Sequence, residues 1–365
     1  MRRLAWSGMA IAVGILIAGL AKPWDARSGQ TRIELARLTG KMKTACVGRF
    51  LIDMPEEARV ELGRARINGF EVAAFDESAD EFRARLAERE AEIKSKPDRL
   101  GGNKNLELVK EVNAEAGLFG KIFVHSRTVN EGSAGNGLVN EHFSYEGIAV
   151  EALVHSEGVS IDLGSDFYFP NRVEDVSTLV AKLVPNPRNT IPAEPGFCLD
   201  HAYVRGPLDA DRTEQVTMFA NLPSHPDTDF LLMTAARSKP DGDGDGLLKR
   251  GAASEDRLSM LEKLRVTRLR ARPREIRGLT GEELVRSVVE DNDAQVYTFH
   301  WEVNGTDKDA LTPRLEFSMT TGGSNAGPVP TSMSNETAMS LWDRVLSSIR
   351  LRTSPLAKPI PERSR

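Results

Sequence analysis

The sequence predicts an α+β protein of two similar domains, each with a largely antiparallel sheet packed against helices. Strand-like and helix-like segments occur in runs and not in strict alternation, which disfavours a doubly wound parallel sheet. The order of elements in residues 46–184 repeats in outline in residues 197–352, and a cysteine-bearing strand opens each half. The chain has 365 residues, and because typical domains run to roughly 100 to 200 residues, length also predicts two domains.

The first residues have the pattern of an export signal. Two arginines precede an uncharged, apolar run over residues 4–21, and small residues end that run. We interpret residues 1–21 as a signal peptide cleaved after Ala21, or as an uncleaved anchor in the inner membrane. Residues 22–45 are interpreted as a polar tether with one short helical turn. In a bacterium, either interpretation places the rest of the chain in the periplasm.

Residues 46–184 form the predicted N-terminal domain, which opens with the strand "CVGRFLIDMP". The helix after the second strand has Phe82 and Ile93 on its apolar face. Asn171 and Glu174 occupy capping-box positions at the start of the closing helix. The other predicted strands are residues 69–75, 120–127, 140–147 and 149–165, the last of which contains a Glu-Gly hairpin turn.

Residues 185–196, "PNPRNTIPAEPG", contain four prolines and are predicted to be a stiff, extended linker. Residues 197–352 form the predicted C-terminal domain, and residues 353–365 form a polar tail. Thr280 and Glu283 occupy capping-box positions, which predicts a helix from residue 280. The remaining elements are predicted as strands at Cys198 and residues 214–220, 229–235, 294–305 and 313–321, and as helices at residues 254–266 and 336–351.

The two cysteines, Cys46 and Cys198, are the only pair available for a disulfide in an exported chain. A bridge would close a loop of roughly 150 residues, for which the chain-entropy relation gives about 4 to 5 kcal/mol of stabilisation. The alternative is that both thiols are small buried residues of equivalent strands. The sequence leaves both possibilities open.

Motifs of several enzyme classes are absent from the sequence. It has no Gly-x-Ser-x-Gly of an α/β-hydrolase, no His-Glu-x-x-His, no Walker loop and no Gly-x-Gly-x-x-Gly opening a helix. Its six histidines are scattered along the chain. The formal net charge is −5, so long-range attraction to a polyanion is not expected. We therefore predict no catalytic residue, no cofactor and no nucleic-acid partner.

The segment "DGDGDG" at residues 241–246 has acidic residues at the spacing of the first half of a calcium-binding loop. In such a loop the twelfth position carries a bidentate glutamate, but here that position is Ala252. We interpret the segment as an acidic turn and predict no metal site.

A second polar segment, "LPSHPDTDF" at residues 222–230, places His225, Asp227 and Asp229 close together between prolines. A histidine beside an aspartate can assist a nucleophile, but no serine nucleophile motif accompanies this pair. We therefore interpret the segment as a rigid polar loop and as a candidate partner-binding loop.

Four stretches of the chain carry a family resemblance: "CVGRFLIDMPEEA" after the export signal, then "GFCLDHAYV", "EQVTMFANLPSHPDTDFLLM" and "GLLKRGAAS" in the second half. They resemble the immunity proteins that protect bacteria from lipase effectors of type VI secretion. The resemblance covers both predicted domains. It implies a claw-like periplasmic inhibitor that grips a cognate α/β-hydrolase phospholipase, blocks its substrate entrance and has no catalytic activity of its own.

Two other functions remain compatible with the residues alone. A periplasmic two-lobed module could bind a small molecule in the cleft between its lobes. An uncharacterised hydrolase is the third possibility, and it predicts turnover that depends on a single acidic residue or histidine.

Overall fold

The structure is a computed structural model that describes residues 29, 31–100, 102, 104–113, 117–135, 140–209, 211–238 and 245–352. The helices of the N-terminal half are α1 (residues 31–40), α2 (Ala79–Ser95) and α3 (Asp175–Val180), with a short 3-10 helix at Pro170–Arg172. Its strands are β1 (Met42–Val47), β2 (Phe50–Pro55), β3 (Arg59–Leu62), β4 (Ala65–Ile67), β5 (Phe70–Asp76), β6 (Leu106–Asn113), β7 (Phe119–Gly135), β8 (Asn140–Ser156), β9 (Val159–Tyr168) and β10 (Leu183–Pro185).

The C-terminal half has the helices α4 (Leu247–Asp256), α5 (Met260–Arg265) and α6 (Asn335–Leu346). Its strands are β11 (Gly196–Leu199), β12 (Ala202–Arg205), β13 (Glu214–Leu222), β14 (His225–Ala236), β15 (Val266–Ile276), β16 (Leu279–Val289), β17 (Gln295–Val303), β18 (Arg314–Thr321) and β19 (Arg350–Leu351). Within the residues that the structure describes, no helix is both long enough and apolar enough to cross a membrane.

One antiparallel sheet of 13 strands runs through both halves of the described chain. The N-terminal half contributes the order β4-β5-β9-β8-β7-β6, and the C-terminal half contributes β13-β14-β18-β17-β16-β15. These two orders are equivalent strand by strand, which shows the predicted similarity of the halves. The halves join where β13 pairs with β3 and β4, through Gln215 opposite Arg66 and Phe219 opposite Glu61.

Two small sheets exchange strands between the halves. The β1-β2 hairpin of the N-terminal half is completed by β19 from the end of the C-terminal half. The β11-β12 hairpin of the C-terminal half is completed by β10 from the end of the N-terminal half. Side-chain contacts reinforce the first exchange, since Arg350 binds the Asp53 carboxylate at 3.0 Å and the Asp53 amide donates to Ser348 Oγ at 2.8 Å.

The exchange brings the two opening hairpins together. Cys46 and Cys198 occupy equivalent positions just before the turns of these hairpins, and they form a disulfide with Cα atoms 5.9 Å apart. Backbone bonds between Gly48 and Cys198, at 2.8 and 3.2 Å, lie beside it. Gly48 has φ of +56°, and a Cβ there would lie 2.9 Å from the Phe197 ring, so the close approach requires glycine.

The main core lies against one face of the large sheet. Trp342 of α6 is fully buried and stacks on Phe317 of β18, with ring centroids 5.0 Å apart. Leu38 of α1 and Leu179 of α3 belong to the same cluster of buried residues, which is continuous across both halves. The helix predicted at residues 336–351 is therefore confirmed with its buried face, but it ends at Leu346, and residues 350–351 form the strand β19.

The predicted helix from residue 280 is wrong, because residues 279–289 form the strand β16. Leu284 and Val285 are both buried, on opposite faces of the sheet, because Leu284 lies under α4 and Val285 belongs to the main core. Glu283 does not cap a helix. Its fully buried carboxylate accepts Trp342 Nε1 at 2.7 Å and binds Arg270 at 3.0 Å.

Other boundaries differ from the sequence-based expectations. Residues 31–40 form a helix within the predicted tether, because Leu38 packs into the core. Asn171 does not cap a helix: α3 begins after Glu174, whose carboxylate binds Lys110 Nζ at 2.9 Å. The predicted helix at 254–266 is divided into α4 and α5 by a capping box at Ser259.

Some expectations hold, and others fall outside the described residues. The Glu157-Gly158 turn joins β8 to β9, with φ of 52° and 78°, as predicted. Residues 186–195 contain neither helix nor strand, but both flanking strands pair with β12. The predicted signal or anchor at residues 1–21 and the tail at 353–365 lie outside the described residues.

Loss of the disulfide should destabilise the fold strongly. The bridge joins residues separated by 152 positions, a separation for which the loop-entropy relation gives about 4 to 5 kcal/mol. We expect Cys46→Ser with Cys198→Ser to lower the free energy of unfolding by about that amount, measured by urea denaturation. Dithiothreitol should lower the stability of the unsubstituted protein but leave the double variant unchanged, and equal sensitivity of the two would contradict the prediction.

The Glu283 network predicts acid sensitivity. Burial acts to raise the pKa of Glu283, but hydrogen bonds from Trp342 and Arg274 outweigh it, so the pKa is lowered. A lowered folded pKa adds stability above the unfolded pKa, near about 4.3, and this contribution is lost as pH falls through the folded value. We expect Glu283→Gln to cost about 3 kcal/mol at pH 7.

Urea unfolding of both proteins between pH 7 and pH 3 tests this expectation. The stability difference between the unsubstituted protein and Glu283→Gln should narrow as the pH falls below about 4.3. A difference that stays constant over the whole range would show that ionised Glu283 is not the source of the stability.

Candidate binding face

The face of the large sheet opposite the main core is only partly covered. Cross-strand partners share a face of a sheet, so the register shows which residues lie on it. We call its uncovered central part the open face. Its exposed or partly exposed residues are Arg59, Glu61, Arg66, Glu71, Phe75, Asp166, Phe167, Phe219, Asn221, Asp229, Leu231, Ser318 and Thr320.

Helix α2 covers one side of the open face. Ser78 and Glu81 form a capping box that starts the helix, and its fully buried Phe82 packs with Phe123 and Leu153 of the sheet. These three side chains belong to a core cluster of five buried residues that is separate from the main one and also contains Ile93 and Leu106. The open face therefore has a fixed boundary in the N-terminal half.

Helix α4 covers the equivalent side in the C-terminal half. The amide of Leu248 donates to Glu282 at 2.9 Å, and the Arg250 guanidinium binds Glu302. A Cβ at Gly251 would lie 2.6 Å from Leu284 Cδ2, so this helix approaches the strand closely. The open face is thus framed by two equivalent helices.

Three exposed aromatic side chains lie on the open face. Phe75 is 37% exposed, Phe167 43% and Phe219 50%. Phe219 lies directly between Glu61 and Leu231 on neighbouring strands. Exposed rings held by a rigid sheet are suited to protein contacts, because aromatic anchors contribute much of the energy of an interface at low entropic cost.

Two recesses lie on the open face. One, of about 400 Å³, is lined by Arg59, Phe219 and Asp229. The other, of about 880 Å³, is lined by Phe75, Arg85 and Phe167 among others. Both have apolar and charged walls, so they can accept protruding side chains of a partner.

Paired charges form the floor of the larger recess. Arg85 binds Glu77 and Asp162 at 2.9 and 2.8 Å, and its guanidinium lies 5.2 Å from the centre of the Phe75 ring. Burial acts to raise the pKa of Glu151, but hydrogen bonds from His125 and Arg89 outweigh it and lower that pKa to about 2. The hydrogen bond from Arg85 lowers the pKa of Glu77 as well, whereas burial raises the pKa of Asp162. Glu77 and Glu151 are therefore ionised near neutral pH, so they provide structure and do not act as general acids.

The predicted loop at residues 222–230 is a β-hairpin, because its two ends continue as β13 and β14 with paired backbones. Two of its three candidate residues are buried. His225 Nε2 lies 2.9 Å from Glu34 of α1, and Asp227 accepts the amides of Gly322 and Ser332 at 2.9 Å each. Asp229 is exposed on the open face, where its role in partner binding stays a prediction.

Within the described ranges, no group of three or more metal-ligating side chains is brought together. Residues 241–244 of the acidic turn lie outside those ranges, and Asp245 binds Lys249 at 2.7 Å. Three serine hydroxyls of the described residues lie close to a histidine Nδ1: Ser126 at 2.9 Å from His125, Ser160 at 3.0 Å from His155 and Ser224 at 2.9 Å from His225. Each of these hydroxyls also binds a further side chain, namely Asn105, Glu77 and Glu57 respectively.

Sequence reasoning missed the open face and its aromatic residues. A signal was present in "EQVTMFANL", where buried and exposed residues alternate along β13 and place Phe219 on the exposed side. The sequence could not show that this face continues onto β4 and β5, because that depends on pairing between the halves.

Comparison with solved structures finds the same fold in immunity proteins. The immunity protein TplEi of the type VI secretion system of Pseudomonas aeruginosa, complexed with "L" peptide, has a TM-score of 0.65 and 23% identity, covering 85% of this chain and 98% of that one. The apo form of TplEi gives 0.66 and 24%, covering 85% and 97%. A chain of the Tle4–Tli4 complex gives 0.68 and 24%, also covering 85% and 97%.

Sequence families give a closer assignment. No match was found among curated protein sequences. Residues 43–157 match the family described as the Tle cognate immunity protein 4 N-terminal domain. Residues 190–354 match the corresponding C-terminal domain, and together the two segments cover most of the chain. The chain therefore belongs to the Tle cognate immunity protein 4 family.

Proposed function

We propose that this protein binds a cognate type VI secretion phospholipase of the α/β-hydrolase type and inhibits it by covering its substrate entrance. The observation that carries the proposal is the open face, an aromatic and charged surface framed by α2 and α4 in a member of an immunity-protein family. The protein would act by binding alone, with no catalytic step.

The structural relatives support a Tle effector as the partner. One of them is a chain from a complex of Tle4 with Tli4. The present protein shares the fold of that chain over 85% of its own length. A toxin delivered in small amounts must be held tightly, and nanomolar binding corresponds to about −12 kcal/mol. Interfaces of that strength commonly bury about 1,600 Å² around a few well-packed anchors.

The rigidity of the open face favours tight binding. Its strands belong to one continuous sheet. Helix α2 is fixed to that sheet by the buried Phe82, and α4 is fixed by the hydrogen bond from Leu248 to Glu282. A surface that is already ordered loses little conformational entropy on association. The claw-like grip implied by the family resemblance would then come from the fixed frame of α2 and α4 around the effector.

We place this activity in the periplasm. The disulfide supports that location, because such bridges persist in oxidising compartments. Residues 1–21 would direct export, either as a cleaved signal or as a retained anchor. The acidic net charge of −5 would speed capture of an effector whose entrance is bordered by basic residues.

Substitution on the open face tests the proposal. We expect the unsubstituted protein to abolish the activity of the phospholipase encoded beside it when the two are mixed in equimolar amounts. Phe219→Ser should raise the inhibition constant about tenfold, because loss of an interface anchor costs about 1 to 2 kcal/mol. The measurement is phospholipid hydrolysis against inhibitor concentration.

Leu261→Ser is the matched control, because Leu261 is 75% exposed on α5 and lies outside the open face. It should inhibit as well as the unsubstituted protein. Undiminished hydrolysis in the presence of the unsubstituted protein would reject inhibition altogether. Equal inhibition by Phe219→Ser and the unsubstituted protein would instead reject the open face as the binding surface.

A further inference from the structure

A two-stranded ribbon projects from the edge region of the large sheet. Residues 128–135 of β7 and 140–147 of β8 pair only with each other, since β6 pairs with β7 no further than His125 and β9 pairs with β8 from Ile148 onwards. We call these two segments the β-arm. Two-stranded ribbons have little stability of their own in water, so the β-arm gains most from a further surface to pack on.

The β-arm has no equivalent in the C-terminal half. The strands that correspond to β7 and β8 are β16 and β17, which have 11 and 9 residues against 17 in each strand of the N-terminal pair. The two halves otherwise share their strand order. The fold is therefore complete without the β-arm, which indicates a role other than folding.

Aromatic rings line one face of the β-arm. The Phe143 ring covers Gly132 and stacks on Tyr145, with centroids 5.4 Å apart, and Tyr145 is 60% exposed. At the base, the Phe167 ring covers Gly147. This row begins on the open face, because Phe167 lines its larger recess.

The aromatic row points in the same direction as the open face. The register shifts once on each side of β8. From His125 to Thr128, β7 advances three residues while β8 advances two, and from Ser165 to Tyr168, β9 likewise advances three against two. The extra residues therefore lie on the neighbouring strands, and β8 alternates without a break from Phe143 to Glu151 and Leu153. Since α2 packs on Leu153, the rings project from the side that carries the open face.

The negative charge of the β-arm restricts the kinds of surface that it can bind. Glu131, Glu141 and Glu146 are exposed on it, and Glu146 binds Arg127 at its base. Exposed carboxylates disfavour an anionic lipid surface, which attracts basic segments. They also disfavour a second copy of the same arm, because like charges would face each other. A basic protein surface with apolar pockets is the complementary partner.

We propose that the β-arm docks on the border of the effector's substrate entrance, with Phe143 and Tyr145 in apolar contact. This rests on the proposed function. A phospholipid carries apolar chains and an anionic phosphate, so an enzyme that admits it presents apolar surface together with cationic or hydrogen-bond donors. On the β-arm, Glu141 shares the face of the rings, whereas Glu131 and Glu146 lie on the opposite face. The aromatic face therefore presents apolar surface with a carboxylate near the tip, which matches the chemistry of that entrance.

Inhibition of the adjacent phospholipase by the full chain and by three variants tests the β-arm. Tyr145→Ser and Phe143→Ser should each raise the inhibition constant about tenfold, as expected for interface anchors. Val129→Ser is the matched control, because Val129 is 38% exposed on the opposite face of the β-arm, opposite Glu146. The Val129→Ser substitution lowers the strand propensity about as much as the two aromatic substitutions do. It should change the inhibition constant less than about twofold.

The outcomes separate the two proposals. If the unsubstituted protein inhibits and both aromatic variants inhibit as strongly as it does, the β-arm proposal fails and the proposed function stands. An equal loss in Val129→Ser would show that ribbon stability, not the aromatic face, is responsible, and would also overturn it. Co-sedimentation with phosphatidylglycerol vesicles that is lost in Tyr145→Ser would assign the β-arm to membrane. No inhibition by the unsubstituted protein would overturn both proposals.

Discussion

The contact of β13 with β3 and β4 is the junction on which the architecture depends. Two sets of six strands in equivalent order, together with β3, become one sheet of 13 strands there, and only this junction makes their outer faces continuous. The Glu214 carboxylate at the start of β13 is buried and binds Arg49 at 2.6 Å, which ties the N-terminal hairpin to the same point. Removing one partner from a buried pair is costly, so this ion pair fixes the junction in one arrangement.

The exchange of closing strands makes the two halves interdependent. Separating them would break β19 from β2 and β10 from β12, and would open a core that is continuous across the halves. The equivalent cysteines meet because the opening hairpins of the two halves lie together at the centre. A hinge between two lobes is therefore disfavoured, and the frame around the open face is already in place before a partner arrives.

Local patterns in the sequence predicted the elements whose stability is local. The faces of α2 and α6, the Glu157-Gly158 turn and the antiparallel class all follow from periodicity and turn chemistry. Residues 279–289 were misassigned because Thr280 and Glu283 satisfy a helix-capping pattern, while the strand is selected by pairing with β15 and β17. Likewise, His225 and Asp227 read as surface residues, since their partners Glu34 and Ser332 lie far away in sequence. Register between distant strands cannot be read from one strand alone.

The two halves of the sheet have equivalent strand orders, but the β-arm is present on the N-terminal half alone. A partner without internal two-fold symmetry would make different contacts with the two halves. Features present on one half only would then add contacts that the equivalent surfaces do not supply. The open face is formed by both halves, whereas the β-arm extends from the N-terminal half alone. Because the β-arm lies outside the shared strand order, its sequence can change to suit a partner while the core of the fold stays the same.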